Sequence, residues 1–443
     1  MDDAIVVVGG GVSGLTAAAL LTHAGKPVTV VEAHTVPGGC ASFYQRAGYR
    51  FDVGATLAGG FGPRGVHRRV FAGLGVRLDA HPGEPAMAVR IGETTILRYG
   101  SSRWQAERLR VFGAAAEPFW LSQERIAELA WSFADGWPAL PADVPGALAL
   151  VRALRPPHAG LAATLGRTVA DLYPPDASPL LRTFVDAQLL ITAQAGAHEA
   201  DLAYGATALD LARDGTFHLP GGIAALPVQN VLALLGPSAA PALRARAAAL
   251  PQRWGAFTAY LGLPPDAVAA ETVLHQQIVV DPGAPLGEGN SVFVSFSPPD
   301  DATRARDGGR AVTLSTHTDV ARWERARADG DLPALTAAYG ARLRGAFERI
   351  APGAWERARV TEFGTPFTFE RYTGRWRGLC GGVPQTSAHA NLRALSHVSG
   401  MPGLVLAGDT AFPGQSTVGA TLSGIAAARS VFPRSVREIS AGP

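Results

Sequence analysis

The sequence has few of the residues on which several common kinds of site depend. Its two cysteines, Cys40 and Cys380, are too few for a framework of disulfides, so we expect two buried thiols in a reducing compartment. The 11 histidines are scattered, and no HExxH, CxxC or GxSxG motif is present. Metal-dependent and hydrolase functions therefore have no candidate site, and we expect no bound metal.

Charge and long hydrophobic runs are limited as well. The net charge of the 443 residues is +2, and Lys26 is the single lysine among 39 basic residues, so a nucleic-acid partner is not expected. No uninterrupted apolar stretch reaches the roughly 18 residues that a membrane span needs. The acidic residues Asp2 and Asp3 are unlike the start of a signal peptide. We expect a cytoplasmic protein that is soluble or peripherally associated with a membrane.

What the sequence does contain is a glycine-rich turn between two strand patterns near its start. The apolar run Ile5–Val8 ends at Gly9, and an alanine-rich helical pattern then reaches His23. A second apolar run, Val28–Val31, is closed by Glu32. Strand, glycine turn, helix, strand and acid in this order are typical of a dinucleotide-binding βαβ unit.

Each glycine of this turn has a predicted task. Gly9 makes the tight turn, Gly11 lets the backbone approach a pyrophosphate, and Gly14 lets helix and strand pack closely. The helix N-terminus offers N–H groups and a positive dipole to the phosphates. Glu32 stands where a carboxylate accepts ribose hydroxyls, which argues against a 2′-phosphate on the ligand.

Beyond Glu32 the chain does not continue as the alternating strands and helices of a nicotinamide-binding domain. The segment GYRFDVGATLAGGF, residues 48–61, contains glycines typical of close backbone approach, with Asp52 and Thr56 as its polar groups. It suggests a second contact with a ligand bulkier than NAD. Further strand patterns occupy Met87–Ile91, Thr94–Leu97, Ala256–Leu261, Gln276–Val280, Ser291–Phe296 and Ala311–Thr316, and a helical pattern covers about Leu332–Ile350.

From residue 101 to about 213 the pattern is helical and rich in tryptophan. Trp104, Trp120, Trp131 and Trp137 alternate with several arginines. One interpretation is a helical domain with an aromatic core. The other is an amphipathic surface that rests on a membrane, with tryptophan at the interface and arginine toward the headgroups.

The C-terminal part has a second distinctive segment. Leu404–Asp409 has the pattern of a buried strand ending in Gly408 and Asp409, and a small-residue helix is predicted to start near Val418. An aspartate at that position can accept a hydrogen bond from a ribityl hydroxyl. The positive end of the helix can face the pyrimidine edge of a flavin and stabilise negative charge there.

Together these segments resemble the phytoene desaturase-like flavin oxidoreductases, which include carotenoid desaturases, carotenoid cis–trans isomerases and retinol saturases. The resemblance rests on VVVGGGVSGLTAAALL, VEAHTVPGG, RAGYRFDVGAT, FHLPGGIAAL, RYTGRWRGLCGGVPQT and LVLAGDTAFPGQSTVGATLSGIAAA. Within the family the chain is most similar to C-3′,4′-type desaturases and isomerases.

The resemblance implies an α/β fold with a discontinuous FAD-binding Rossmann-like domain of the glutathione-reductase type, an inserted mixed α+β substrate domain and a helical membrane-facing cap. It divides the chain into residues 1–100 (FAD-binding, N-terminal part), 101–215 (cap), 216–253 (shortened return segment of the FAD domain), 254–370 (substrate domain) and 371–443 (FAD-binding, C-terminal part). The oligomeric state is not predicted.

The cofactor that the resemblance implies is FAD, and the residues implied to hold it come from both ends of the chain. They are Gly9, Gly11, Val12, Ser13, Gly14, Glu32, Ala33, Gly38, Gly39, Thr56, Gly408, Asp409, Gln415, Gly419 and Ala420. The implied function is a carotenoid desaturase that removes two hydrogens from a long apolar polyene taken from a membrane surface. The alternative is a carotenoid isomerase with the same cofactor. No catalytic residue is identified, because hydride transfer to flavin N5 depends on alignment more than on a strong base.

One segment departs from the family's pattern. In relatives a β-rich segment follows the GGxxxL block and completes the FAD domain, whereas here about 30 residues with a helical pattern separate Gly222 from Trp254. We therefore expect that part of the FAD domain is missing and that a sheet edge or apolar patch is exposed beside the adenine site. A non-catalytic pigment- or lipid-binding relic is the third interpretation.

Overall fold

The computed structural model describes residues 4–441 apart from 55, 64, 78–79, 101, 137–139, 141–143, 214 and 219–227. The strands are Ile5–Val8 (β1), Val28–Val31 (β2), Phe43–Arg46 (β3), Tyr49–Asp52 (β4), His81–Gly83 (β5), Met87–Ile91 (β6), Thr94–Arg98 (β7), Thr216–His218 (β8), Trp254–Leu263 (β9), His275–Val279 (β10), Ser291–Phe296 (β11), Arg310–Asp319 (β12) and Val360–Gly364 (β13).

The α-helices fall between these strands and at the C-terminal end of the chain. They are Val12–His23 (α1), Val66–Gly73 (α2), Arg103–Phe112 (α3), Glu117–Asp135 (α4), Val144–Ala153 (α5), Pro179–Ala193 (α6), Leu202–Asp210 (α7), Val228–Leu235 (α8), Pro241–Ala248 (α9), Val320–Asp329 (α10), Leu332–Glu348 (α11), Pro366–Thr373 (α12), Ser416–Val431 (α13) and Pro433–Ala441 (α14).

The N-terminal unit is the predicted βαβ, with β1 and β2 parallel and α1 between them. The first and last large helices pack closely, because Gly424 of α13 lies directly over α1. A Cβ on Gly424 would stand 2.4 Å from the carbonyl oxygen of Ser13. The hydroxyl of Ser13 in turn donates to the carbonyl of Ala420 at 2.7 Å. The two ends of the chain therefore form one unit.

A seven-stranded sheet forms the second unit, in the order β13-β9-β12-β11-β10-β6-β7. Its strands pair antiparallel except for β10 with β6. Helices α10 and α11 cover one face through a core that includes Phe257, Trp323 and Phe347. The domain boundaries predicted from the sequence assign 1–100 to the FAD-binding part, but residues 87–98 lie in this sheet. They do so because β6 pairs with β10, which comes from a distant part of the chain.

The helical region after residue 101 packs around an aromatic core. Trp104 and Trp120 are 5% and 1% exposed and meet edge to face with their ring centroids 5.2 Å apart. Arg108 is also buried and pairs with Glu117 at 2.8 Å. The hypothesis of a tryptophan and arginine membrane surface is therefore wrong for these residues. Trp131 donates to Asp210, and Trp137 lies outside the described residues.

The FAD-binding unit has a smaller sheet than its sequence motif suggests. No third strand among the described residues pairs with β1 or β2, and residues 228–253 contain α8 and α9 but no strand. Three valines on one face of this sheet are exposed: Val6 by 58%, Val8 by 54% and Val31 by 52%. This agrees with the expected exposed apolar patch, because the elements that would cover that face are absent from the described residues.

The strand predicted at Leu404–Asp409 is not formed. Val405 makes an isolated bridge with Val398, and Leu406 donates its backbone N–H to His397 at 2.7 Å. A strand requires a neighbour to pair with, and the two-stranded sheet does not reach this segment. Leu406 packs instead against Leu243 of α9. None of the described helices is both long enough and apolar enough to cross a membrane.

Candidate functional site

The glycine turn after β1 has the geometry of a phosphate-binding turn. Gly9 has a φ of 101°, which favours glycine, and α1 begins at Val12 with Gly11 as its N-cap. Among the described residues no side chain caps this helix, so its first N–H groups are open to a ligand. A Cβ on Gly14 would stand 2.1 Å from the carbonyl oxygen of Gly9, which leaves no room for another residue.

The acid that closes β2 is anchored beside this turn. Glu32 accepts the backbone N–H of Gly10 through Oε2 at 2.6 Å and that of His34 through Oε1 at 2.8 Å. Gly38 donates its N–H to the carbonyl of Gly10 at 3.1 Å, so the loop that follows Ala33 folds back onto the same turn. Gly39 follows at a φ of 54°. The structure thus brings the predicted N-terminal site residues together.

The second group of predicted residues is built around Asp409. Gly408 precedes it at a φ of 156°, and Asp409 is 8% exposed. Its Oδ2 accepts a hydrogen bond from Arg375 Nη1 at 2.9 Å, while its Oδ1 is buried without a partner. A buried polar oxygen with no partner costs free energy unless a ligand donates to it. Asp409 is thus prepared to accept a donor from a bound molecule.

Arg375 is a residue that the sequence analysis missed. It is 1% exposed, and its Nε also donates to the carbonyl of Leu379 at 2.5 Å. Burial lowers its pKa, but the Asp409 carboxylate together with Cys40 and Cys380 raises it by more, so the pKa of Arg375 is raised. Arg375 belongs to the segment RYTGRWRGLCGGVPQT, which supports the family resemblance. The sequence of this segment alone assigns no role to the arginine side chain.

Both cysteines lie close to this arginine as free thiols. Burial raises the pKa of Cys40, and it raises that of Cys380 to about 12. Arg375 opposes both shifts without overcoming them. The thiols therefore stay protonated near neutral pH and are not nucleophiles.

Gln415 is the residue before α13, makes no capping hydrogen bond with its side chain, and carries a second unpartnered group. The side chain is 2% exposed, and both its Oε1 and its Nε2 are buried without a partner. The helix begins at Ser416, two residues earlier than expected. A Cβ on Gly419 would stand 2.4 Å from the carbonyl of Gly414, so this first turn also requires glycine. An amide that can donate and accept faces the positive end of a helix.

Thr56 lies where the two units meet. Its hydroxyl accepts a hydrogen bond from Ser295 of β11 at 2.7 Å. In the turn just before it, Val53 donates its N–H to Ser42 at 2.9 Å and accepts the hydroxyl of Tyr260 at 2.9 Å. Thr56 is thus connected to the seven-stranded sheet, and its turn packs against the segment that follows Gly38 and Gly39.

An apolar cavity leads from the helical region to the start of α13. It encloses about 1330 Å³ of space, counting its open mouth. Leu150, Leu154 and Leu165 lie along it, and Gln415 and Gly419 belong to its wall as well. None of the described lining residues carries a charge. The cavity accommodates an apolar ligand next to the uncapped helix end.

Comparison with known proteins agrees with the N-terminal geometry. The family profile described as an NAD(P)-binding Rossmann-like domain matches residues 7–74. The chloroplastic prolycopene isomerase of Arabidopsis thaliana is 22% identical over 503 residues, covering 96% of this chain and 82% of that protein. An alignment longer than the 443 residues of this chain means that the relative has extra residues inside it. The phytoene dehydrogenase of Streptomyces griseus is 51% identical over 55 residues, 12% of this chain and 11% of that one.

Solved structures agree on the fold over nearly the whole length. Cyclohexylamine oxidase from Brevibacterium oxydans IH-35A has a TM-score of 0.58 at 16% identity, with 99% of this chain and 98% of that chain covered. An oxidoreductase from Methanosarcina mazei has a TM-score of 0.59 at 14% identity, with 97% and 100% covered. These likenesses to solved structures show the fold, and the relatives in sequence agree with the resemblance to the phytoene desaturase-like flavin oxidoreductases, whose cofactor is FAD.

Proposed function

We propose that this enzyme is an FAD-dependent carotenoid desaturase, which removes two hydrogens from a long polyene. The observation that carries the proposal is the apolar cavity ending at the start of α13, beside the unpartnered amide of Gln415. A hydrocarbon chain needs an uncharged channel, and a flavin needs donors and acceptors at its pyrimidine edge. The cavity offers both within one continuous space.

The residues present fit FAD in both of its halves. The residues we assign to the ADP half are Gly9, Gly11, Val12, Ser13, Gly14, Glu32, Ala33, Gly38 and Gly39. Those we assign to the flavin half are Thr56, Gly408, Asp409, Gln415, Gly419 and Ala420. The free oxygen of Asp409 suits a ribityl hydroxyl, and the amide of Gln415 suits the pyrimidine edge. The uncapped start of α1 suits the pyrophosphate.

The residues of the protein orient the substrate and stabilise the charge that develops on the cofactor. When bound, FAD would supply the hydride acceptor. The positive end of α13 would stabilise negative charge on a flavin held beside it. The leucines that line the cavity exclude water and align the polyene with the cofactor site. Hydride transfer depends more on this alignment than on a strong base.

The substrate enters through α5, and this helix rests on a membrane surface. Val144, Leu148 and Val151 are 72%, 52% and 62% exposed and recur at helical spacing on its outer side. Leu150, on the same helix, lines the cavity. Arg152 is exposed next to this apolar face, where it can meet anionic headgroups. The membrane-facing part is therefore α5 and not the tryptophan region predicted from the sequence.

A carotenoid isomerase is the second candidate, because the relative that aligns with 96% of this chain is named a prolycopene isomerase. A pigment-binding relic is the third, because the FAD unit has a two-stranded sheet in the described residues and an exposed valine face. The weakened sheet would lower FAD affinity without removing the contacts around Asp409 and Gln415.

Expression in a host that makes lycopene-like carotenoids separates the three candidates. A desaturase yields a pigment lighter by two hydrogens per new double bond. An isomerase changes retention on chromatography at constant mass. A relic changes neither, and the purified protein is colourless and takes up no added FAD.

A further inference from the structure

Tyr204 of α7 lies where the apolar cavity reaches the start of α13. It belongs to the wall of this cavity, and its hydroxyl donates a hydrogen bond to the backbone carbonyl of Gln415 at 3.2 Å. Burial raises the pKa of Tyr204, with a smaller contribution from Asp409, so the phenol keeps its proton and remains a donor. The ring is therefore anchored beside the residues assigned above to the flavin half of the cofactor.

The backbone at Tyr204 is held by the N-terminal cap of α7. Asp201 accepts the backbone N–H of Tyr204 at 3.1 Å, and the side-chain amide of Asn391 donates to the same carboxylate oxygen at 2.6 Å. The next residue, Gly205, packs so closely that an added Cβ would stand 2.3 Å from Cγ2 of Val169. A capped and tightly packed first turn keeps the tyrosine in one position.

Tyr204 is larger than its neighbours on the same face of α7. That face lines the cavity with Ala203, Tyr204, Thr207 and Ala208, which lie together because of their helical spacing. Three of these four side chains are small, whereas the tyrosine ring has a large apolar surface. The ring therefore narrows the cavity at the end that lies next to Gln415.

A long polyene has several similar carbon–carbon bonds, and the protein has to place one of them at the cofactor. The described wall of the cavity carries no charge that could fix the position of a hydrocarbon along it. The depth to which the hydrocarbon enters then decides which bond lies at the cofactor, and a bulky side chain at the cofactor end limits that depth. Accurate placement matters, because a displacement of about 1 Å can cost on the order of 100-fold in rate.

Resting on the function proposed above, we propose that Tyr204 is a specificity-determining residue, whose ring sets which bond of the polyene lies at the flavin. The polyene packs against this ring, and the hydrogen bond to Gln415 keeps the ring from turning away. Tyr204 exchanges neither a proton nor a hydride with the substrate. It acts by limiting how far the polyene enters and by holding it there.

The test has to separate this role from a merely structural one. Tyr204→Ala removes the ring, and Tyr204→Phe keeps the ring but removes its hydrogen bond to Gln415. Tyr173→Ala is the matched control, since Tyr173 is also half-buried and stacks on Phe119 with ring centroids 5.3 Å apart, but is not among the described residues of the cavity wall. FAD affinity and the free energy of unfolding are measured for all three variants.

Two readouts are used with the FAD-loaded protein and with phytoene or lycopene in liposomes. The first is turnover, with the new double bond located by tandem mass spectrometry. Tyr204→Ala should lower kcat about tenfold or more with a smaller change in KM, and should form the double bond at other positions. Tyr204→Phe and Tyr173→Ala should keep the original product. The second is the absorption band of bound lycopene, which should shift in Tyr204→Ala and stay unchanged in Tyr173→Ala.

If Tyr204→Ala forms the same product as Tyr173→Ala at the same rate, the role of Tyr204 is refuted and the desaturase function stands. A slower Tyr204→Ala with an unchanged product and an equal loss of FAD affinity also refutes it, because the ring then serves only the cofactor site. If the unaltered protein desaturates neither carotenoid, the proposed function fails instead. The band of bound lycopene still decides whether the ring contacts the polyene, and a band that Tyr204→Ala does not shift refutes that contact.

Discussion

Arg375 and Asp409 form an ion pair of 2.9 Å in which the two side chains are only 2% and 11% exposed. The pair joins the segment around Leu379 to the turn that ends in Asp409, and it leaves one carboxylate oxygen for a ligand. The arginine therefore holds the aspartate side chain in place inside the protein.

Arg375→Met should destabilise the protein by about 3–5 kcal/mol, because it leaves the Asp409 carboxylate buried without its counter-charge. Denaturant unfolding of the FAD-free protein measures this. The control is Arg46→Met, which breaks the exposed pair of Arg46 with Glu362 and should cost less than about 1 kcal/mol. Equal losses in both variants would show that the buried pair has no special role.

Gly14→Ala should abolish FAD binding, since the added Cβ would lie 2.1 Å from the carbonyl of Gly9 and push the glycine turn apart. The control is Gly345→Ala in α11, where nothing lies within 4 Å of the added Cβ. That change should raise the free energy of unfolding by about 0.5–1 kcal/mol. Flavin absorbance after gel filtration reports binding, and full occupancy in Gly14→Ala would contradict the assigned turn.

The free energy of unfolding should fall as the pH drops, partly because of His317. Burial lowers the pKa of His317 to about 4, against about 6.5 in an unfolded chain. Between these values the unfolded chain binds the proton more readily, so stability is lost as the pH falls from about 6.5 through about 4.

His317→Gln should remove up to about 3 kcal/mol of this acid dependence. Denaturant unfolding at a series of pH values measures it, with His23→Gln, an exposed histidine at the end of α1, as control. Identical pH profiles for the two variants would exclude His317 as a source of acid sensitivity.

Liposome flotation tests the assignment of α5 as the membrane-facing helix. Leu148→Asp with Val151→Asp should reduce recovery with anionic liposomes several-fold, because two charges replace the exposed apolar face. Leu234→Asp on α8 is the control, since Leu234 is 70% exposed but does not line the cavity. An equal reduction in both variants would mean that α5 has no special part in membrane binding.

The correct predictions concern elements that are determined by residues close to one another in the sequence. The glycine turn with its acid, the strand patterns of the large sheet and the helix after Leu332 are all confirmed. Each depends on periodicity or on turn chemistry within about 20 residues, which a single sequence contains.

The wrong predictions depended on distant neighbours. The pattern at Leu404–Asp409 is that of a buried strand, but without an adjacent strand it stays irregular. Trp104 and Trp120 are as compatible with a membrane surface as with a core until Phe184 of α6 packs against them. Arg375 could not be chosen among so many arginines, because its pairing with Asp409 is set only by tertiary structure.

The most direct test of the central claim is anaerobic mixing of the FAD-loaded protein with a carotenoid in liposomes, with flavin absorbance and pigment mass recorded together. The account predicts that the oxidised flavin bleaches while one carotenoid double bond forms per flavin, with the loss of two hydrogens. A flavin that stays oxidised while the carotenoid keeps its mass, whether or not its isomer composition changes, would contradict the assignment as a desaturase.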